Sequence, residues 1–280
     1  MSGRRLDHLV LPVAGLDAAR ERLERLGFTV APQGTHPFGT VNACVYFADG
    51  TFIEPLAVGD AGVVDAAVAA GNSFVLGDAH FRAAVGEEGL SGLVLATGDA
   101  DADHVAFVEK GISGGPMVEF SRPSLDKDGK ADIASFRLAF AAPSGGADAF
   151  FFNCERRKVP AIDRSALERH DNGATRILAV HAEAADPASF AAFLAEMAGG
   201  TGTSGDNFVE IALENGRIEI RRNGEAIRPR LTGIVFGVRD LAAVAALFEA
   251  GGVVCERREA RLHVPPARGQ GAEFVFEETQ

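Results

Sequence analysis

The stretch LDHLVLPVAGLDAARERLERLGFTV, residues 6–30, decides the fold. Leu6, His8 and Val10 alternate with Asp7, Leu9 and Leu11, as in a strand whose His8 points to one side of a sheet. Leu16, Ala19, Leu23 and Leu26 then fall on one stripe of a helix beginning at Asp17, with Arg20, Glu21, Arg22, Glu24 and Arg25 off it. Gly27 ends the helix, as suits a residue that enters the left-handed region cheaply. A loop around His36, a strand from Thr40 to Phe47, an Asp49-Gly50 turn and a strand from Thr51 to Val58 follow. The Asp-Gly pair between two β-rich runs signals a hairpin. On the last strand Phe52, Glu54 and Leu56 share a face, and Glu54 interrupts an otherwise apolar run.

The same order recurs from Leu90, Ile177 and Leu231. A unit that repeats must bury its apolar face against its neighbours. The repetition predicts an α+β chain of four βαβββ modules in two pairs. Each pair forms a half-barrel cup of mixed, largely antiparallel sheet flanked by helices. The stretch from Glu155 to Thr175, with Pro160, Asn172 and Gly173, reads as the boundary between an N-terminal domain over 1–160 and a C-terminal domain over 171–280. Residues Asp60 to Gly89 are long for a plain connection and read as a helical cover over a cleft.

Composition excludes several classes of function. With 47% apolar and 24% charged residues the chain is globular, and a net charge of −12 disfavours nucleic acid and anionic membranes, which reward clustered Lys and Arg. No apolar run is long enough to span a bilayer, and charge interrupts the first apolar stretch, so it does not read as a signal peptide. Cys44, Cys154 and Cys255 are scattered and odd in number, which fits a reduced, cytoplasmic setting.

Chemistry concentrates in the first module. His8 has no counterpart at Gly92, Ala179 or Gly233, whereas the place of Glu54 is matched approximately by Asn153, Glu219 and Glu277. If modules one and two pair, Asn153 and Arg137 enter the cleft; if one and four pair, Glu277 does. Arg137 lies opposite the phenylalanines of the strand 136–140, where a guanidinium suits a substrate carboxylate or phosphate; an ion pair with Glu54 or Glu119 is the alternative. His181, two residues past the His8 position in the third module, reads as structural. Two glycine motifs mislead. The G-x-G-x-x-G at Gly200–Gly205 and the G-x-S-x-G at Gly111–Gly115 both follow a helix and precede a strand. Dinucleotide sites and nucleophile elbows need strand before helix, so no nucleotide cofactor is expected.

The LDHLVLPVAGLDAA wording, the His36-Pro37-x-Gly39-Thr40-x-Asn42 stretch and Phe52-Ile53-Glu54 together resemble the vicinal oxygen chelate superfamily, particularly its glyoxalase-like members. The resemblance runs through all four modules. It implies cups around a divalent metal (Fe, Mn, Ni or Zn) held by His and Glu of first and last strands, which map here onto His8 and Glu54 only; His36, in the loop beside the third strand, is this chain's own candidate for the further imidazole. Glu54 and His36 are then the candidate catalytic groups, and Asn42, Arg137 and Asn153 the candidate substrate contacts. The resemblance implies a lyase, isomerase or dioxygenase acting on a small oxygenated, anionic metabolite, in a possible homodimer. A metal-free protein that sequesters a small molecule is the alternative, and a structural or regulatory dimer a third.

Overall fold

A computed structural model describes residues 3–125, 131–160, 163–205 and 208–279. The first module comprises β1 (Leu6–Pro12), α1 (Leu16–Arg25), β2 (Gly34–Thr35), β3 (Thr40–Asn42), β4 (Val45–Tyr46) and β5 (Phe52–Val58). Two helices follow, α2 (Ala61–Ala69) and α3 (Ser73–Ala84). The second module has β6 (Gly92–Ala96), α4 (Ala100–Glu109), β7 (Val118–Leu125), β8 (Ala131–Ala141) and β9 (Phe150–Lys158). The third has β10 (Ala174–Ala184), α5 (Pro187–Ala198), β11 (Gly202–Ser204), β12 (Phe208–Ala212) and β13 (Arg217–Arg222). The fourth has β14 (Arg230–Val238), α6 (Leu241–Ala250), β15 (Glu256–Arg258), β16 (Arg261–Val264) and β17 (Glu273–Glu278). The fold is therefore the α+β, four-module arrangement that the repeats predict. The tip of the charged excursion in module two, residues 126–130, lies outside the described residues.

Pairing follows chain order. Antiparallel β1 and β6 join modules one and two into a sheet ordered β2-β3-β5-β1-β6-β9-β8-β7, with β4 also on β5. Antiparallel β10 and β14 join modules three and four in the order β11-β12-β13-β10-β14-β17-β16-β15. Glu277 accordingly belongs to the second sheet, where it pairs with Arg261 at 2.6 Å, and does not enter the first cup. Within each module the first and last strands are parallel neighbours, Val10 opposite Glu54 in the first.

The two faces of the first sheet have different partners. Leu9, Leu11, Ile53, Leu93 and Phe151 face the helices and share one continuous core with the second half. Phe28, just beyond α1, lies 5.1 Å from Phe236 and 6.0 Å from Phe276, ring centre to ring centre, so the halves are packed through their helix sides. The opposite face of the sheet curls into a cup lined by Val10, Leu56, Val94, Leu138, Phe140 and Phe152. Gly27, at φ +78°, turns the chain where a Cβ would stand 2.5 Å from Leu247 and 2.9 Å from the Asn172 backbone nitrogen. Glycine is required there for both conformation and space.

The connection read as a cover is helical, but it is no loose flap. Phe74 of α3 enters the cup, 5.7 Å from Phe150 and edge-on. Arg82 pins the helix, bonding Asp78 at 2.8 Å and donating to the carbonyls of Leu56 in β5 and of Val13 just past β1.

Candidate functional site

His8, His36, Asn42 and Glu54 meet in the first cup, all buried. Strand alternation brings two of them there: His8 and Val10 share the cup face of β1, as Glu54 and Leu56 share that of β5. Asn42 ends β3, which pairs antiparallel with β5, and its amide nitrogen donates to Glu54 Oε1 at 2.5 Å. His36 occupies the turn between β2 and β3, stacked on Phe38 at 4.9 Å and edge-on to Phe74 and Phe120.

Both imidazoles present Nε2 to the same carboxylate. His8 Nε2 lies 3.6 Å from Glu54 Oε2, and His36 Nε2 lies 3.5 Å from Glu54 Oε1. Their other nitrogens are engaged: His8 Nδ1 with Asp7 Oδ1 at 2.6 Å, His36 Nδ1 with Thr40 Oγ1 at 2.8 Å. Burial pulls the His36 pKa from 6.5 to about 4, with Glu54 opposing and Arg122 and His8 assisting. His36 is therefore neutral at pH 7. The Asn42 amide nitrogen, which can only donate, stands 3.5 Å from His36 Nε2. With Asn42 so oriented, the proton of His36 belongs on Nδ1 and a lone pair on Nε2 faces the Glu54 carboxylate. Two acceptors that face one another leave room for a proton or a cation.

Asp7 joins the site through a β-bulge. On β1, Leu6 and His8 pair with the consecutive residues Leu95 and Val94, so Asp7 is the extra residue and can turn toward the His8 side. Arg156 of β9 donates to Asp7 at 2.8 Å and lies 5.4 Å over the Phe52 ring, which itself stacks on His8 at 4.4 Å. Burial pushes the Asp7 carboxyl up, but His8 and Arg156 outweigh it and hold the group below its ordinary value. Asp7 was legible only as a neighbour of His8, since plain alternation sends it to the other face.

Two of the expected substrate contacts are elsewhere. Arg137 is on the helix side of β8, held by Asp101 of α4 and by Glu119 at 3.1 Å. Alternation correctly set it opposite Phe136 and Phe140; those phenylalanines face the cup, so Arg137 faces away from it. Asn153 is also on the α4 side, donating to Asp103 at 2.8 Å. The register of β6 with β9 sets Val94 beside Phe152, which puts Phe152 edge-on to His8 at 5.8 Å, on the face expected for Asn153.

The donor types suit a divalent metal, and each imidazole has the outer partner that orients ligating histidines. As they stand the groups do not close around one point. Among the described residues, no group of three or more His, Cys, Asp or Glu is spaced to hold an ion. Asn42 occupies one oxygen of Glu54 in its place. The three cysteines are free, and burial raises the thiol pKa of Cys44 to about 12.

The second sheet carries a different network. His181 Nε2 lies 3.4 Å from Glu219, its Nδ1 lies 4.0 Å from Glu273, and His263 is 3.0 Å from Glu273. The His181 imidazole beside it holds the Glu219 pKa at about 2 against burial, with Arg217 assisting. The two nitrogens of His181 face different carboxylates, so imidazoles and carboxylates alternate along a row. A cavity of about 790 Å³ borders the row at Glu210, Arg217, Glu219 and Arg221.

Paired βαβββ modules with His and Glu on neighbouring strands of one cup define the vicinal oxygen chelate fold. A model of the glyoxalase-like domain family matches residues 6–198, and the chain belongs to that family. No curated protein matches the chain. A hypothetical protein from Staphylococcus aureus is similar in structure, with a TM-score of 0.70 and 12% identity over 98% of this chain and 99% of that one. A catechol 2,3-dioxygenase gives 0.60 and 12% over 100% and 89%. The Mn(II)-bound glyoxalase of Novosphingobium aromaticivorans gives 0.57 and 10% over 99% and 82%. At such identities the likeness is one of fold. Among the described residues no helix is long and apolar enough to cross a membrane.

Proposed function

We propose that this chain is a glyoxalase-like enzyme whose reaction domain is residues 1–160, with 171–280 as a supporting domain. The substrate is a small oxygenated metabolite taken into the first cup. The observation that carries this reading is the approach of two buried imidazole Nε2 atoms to one buried carboxylate, at 3.5 and 3.6 Å. A divalent metal, as in the Mn(II)-bound glyoxalase of similar fold, would fall to His8, His36 and Glu54, which could hold it only once Asn42 releases Glu54 and the three groups close on one point. Bound there it would act as a Lewis acid on a substrate oxygen. The protein's own groups have roles that do not depend on it. Burial keeps His36 neutral, with a lone pair aimed into the cup. Asn42 orients the Glu54 carboxylate, which can take a proton from a bound molecule. Phe38, Phe74 and Phe120 shield His36 from water.

The reaction class, among lyase, isomerase and dioxygenase, is left to substrate screening, because fold alone does not choose it. The Asn42–Glu54 hydrogen bond favours a second reading, a metal-free binding cup. Elemental analysis after exposure to Mn, Fe(II), Ni or Zn decides between them. Near-stoichiometric metal in the wild type, lost in His8→Ala and Glu54→Gln, supports the metal enzyme. Metal-free wild type with intact fold overturns it in favour of the binding cup.

A further inference from the structure

We propose that Arg122 is the anion anchor of the first cup, and that the molecule bound there is a small carboxylate with an apolar body. This rests on the reading of the cup as the reaction site, and it replaces Arg137 in the role that the sequence suggested. Val118, Phe120 and Arg122 alternate along β7, and Val118 and Phe120 belong to the cup cluster. Arg122 therefore stands one pleat beyond the ring that touches His36 at 5.5 Å. Phe120 stacks on Phe136 at 5.0 Å, and the guanidinium carbon of Arg122 lies 5.9 Å over that second ring.

The position is a seam. β2 and β7 are the two edges of the first sheet, and they approach each other at Gly34. A Cβ on Gly34 would lie 2.5 Å from Arg122 Nη1 and 2.5 Å from Asn42 Oδ1. The guanidinium and the amide thus come together over bare backbone, and the same Asn42 side chain holds Glu54 with its other end. A molecule whose carboxylate meets Arg122 has its adjoining atoms directed along Asn42 toward Glu54 and His36.

Arg122 also differs from the other arginines around this cup in being unspent. Arg156 serves Asp7, and Arg82 serves Asp78 and Glu87. Among the described residues Arg122 has neither an ion pair nor a hydrogen bond, only the Phe136 ring. It is half-buried. A guanidinium withdrawn from water among aromatic rings, with its fork unpaired, favours a planar carboxylate above any neutral group. The rings of Phe38, Phe120 and Phe136 in turn favour an apolar body.

The test uses the full chain stripped of metal, with benzoate and hexanoate as probes and benzamide and hexanamide as neutral counterparts of the same shape. Calorimetry or ligand-observed NMR reads the affinities. Wild type should prefer acid to amide by about 10-fold or more, and Arg122→Met should lose about 10- to 100-fold for the acids while amide binding is unchanged. Arg122→Lys should restore part of the preference. Gly34→Ala, which keeps the charge and displaces the guanidinium together with the Asn42 amide, should weaken acid binding in the same sense. Arg122 acting merely as a latch across the seam would lower acid and amide binding together, and that result overturns the proposal. Equal acid and amide binding in wild type overturns it as well, and so does an acid preference that survives in Arg122→Met. Wild type that binds none of the four probes overturns the carboxylate assignment. Metal uptake through His8 and Glu54 needs no organic probe, so it can fail or succeed independently of these outcomes.

Discussion

The acid sensitivity of this protein should contain a component traceable to His36 alone. Its ring is buried against Phe38, Phe74 and Phe120, and burial lowers its pKa from 6.5 to about 4. Unfolding returns the ring to water and to its ordinary value. Between those two pH values the unfolded chain binds a proton that the folded chain refuses. Stability contributed by His36 is thus complete above pH 6.5, falls as the pH drops, and levels off below about 4. At about 1.4 kcal/mol per pH unit, the shift corresponds to a loss of about 3 kcal/mol. The comparison is urea unfolding of metal-stripped wild type and His36→Gln, from about pH 7.5 to about pH 4.5. His170, whose pKa burial also lowers, contributes in the same direction, and Asp7 and Glu219 act at lower pH. Those groups are common to both proteins and cancel in the difference. Wild type should lose about 2–3 kcal/mol more than the variant across the window. Parallel curves would mean that the His36 ring is solvated or charged in the folded state, and would refute its reading as a neutral lone-pair donor in the cup.

Three further outcomes are expected. Phe28→Ala opens the core between the two halves, where the ring meets Phe47, Phe236, Phe274 and Phe276, and should cost about 3–5 kcal/mol in chemical denaturation. A loss below about 1 kcal/mol would contradict a shared core. Arg82→Ala strands the buried Asp78 carboxylate and frees α3 from the sheet, for about 3 kcal/mol or more. Hydrogen exchange should accelerate in α3 first, and uniform acceleration across the chain would argue against α3 as a separately pinned cover. Arg137→Ala should leave metal uptake and carboxylate binding as in wild type, because its partners Asp101 and Glu119 are on the helix side of the sheet. A loss of acid binding in that variant would return the anchor to Arg137.

Much of the fold was legible because it is repeated. A strand of period two, a helix stripe and a closing glycine recur four times, and a repeated unit buries its apolar face by packing on its neighbours. His8 and Glu54 were legible for the same reason: each is a polar residue on an otherwise apolar strand face, and such a residue must find a partner. His36 and Asn42 were recoverable only through the family wording around the loop, since nothing periodic marks them.

What the sequence determined by itself was therefore the module, its fourfold use and the two polar residues that share the cup. The tertiary structure decided which face of the sheet is the cup, and with it the fates of Arg137, Asn153 and Arg122. Alternation separates the faces of a strand but does not name them, and here both faces are apolar, one against helices and one around the site. The bulge that turns Asp7 toward His8 depends on how β1 and β6 are paired, residues more than eighty positions apart in the chain. The meeting of Gly34 with Arg122 depends on the curvature that brings opposite edges of one sheet together. Register and curvature are set by packing between distant segments, and no local pattern of residues carries them.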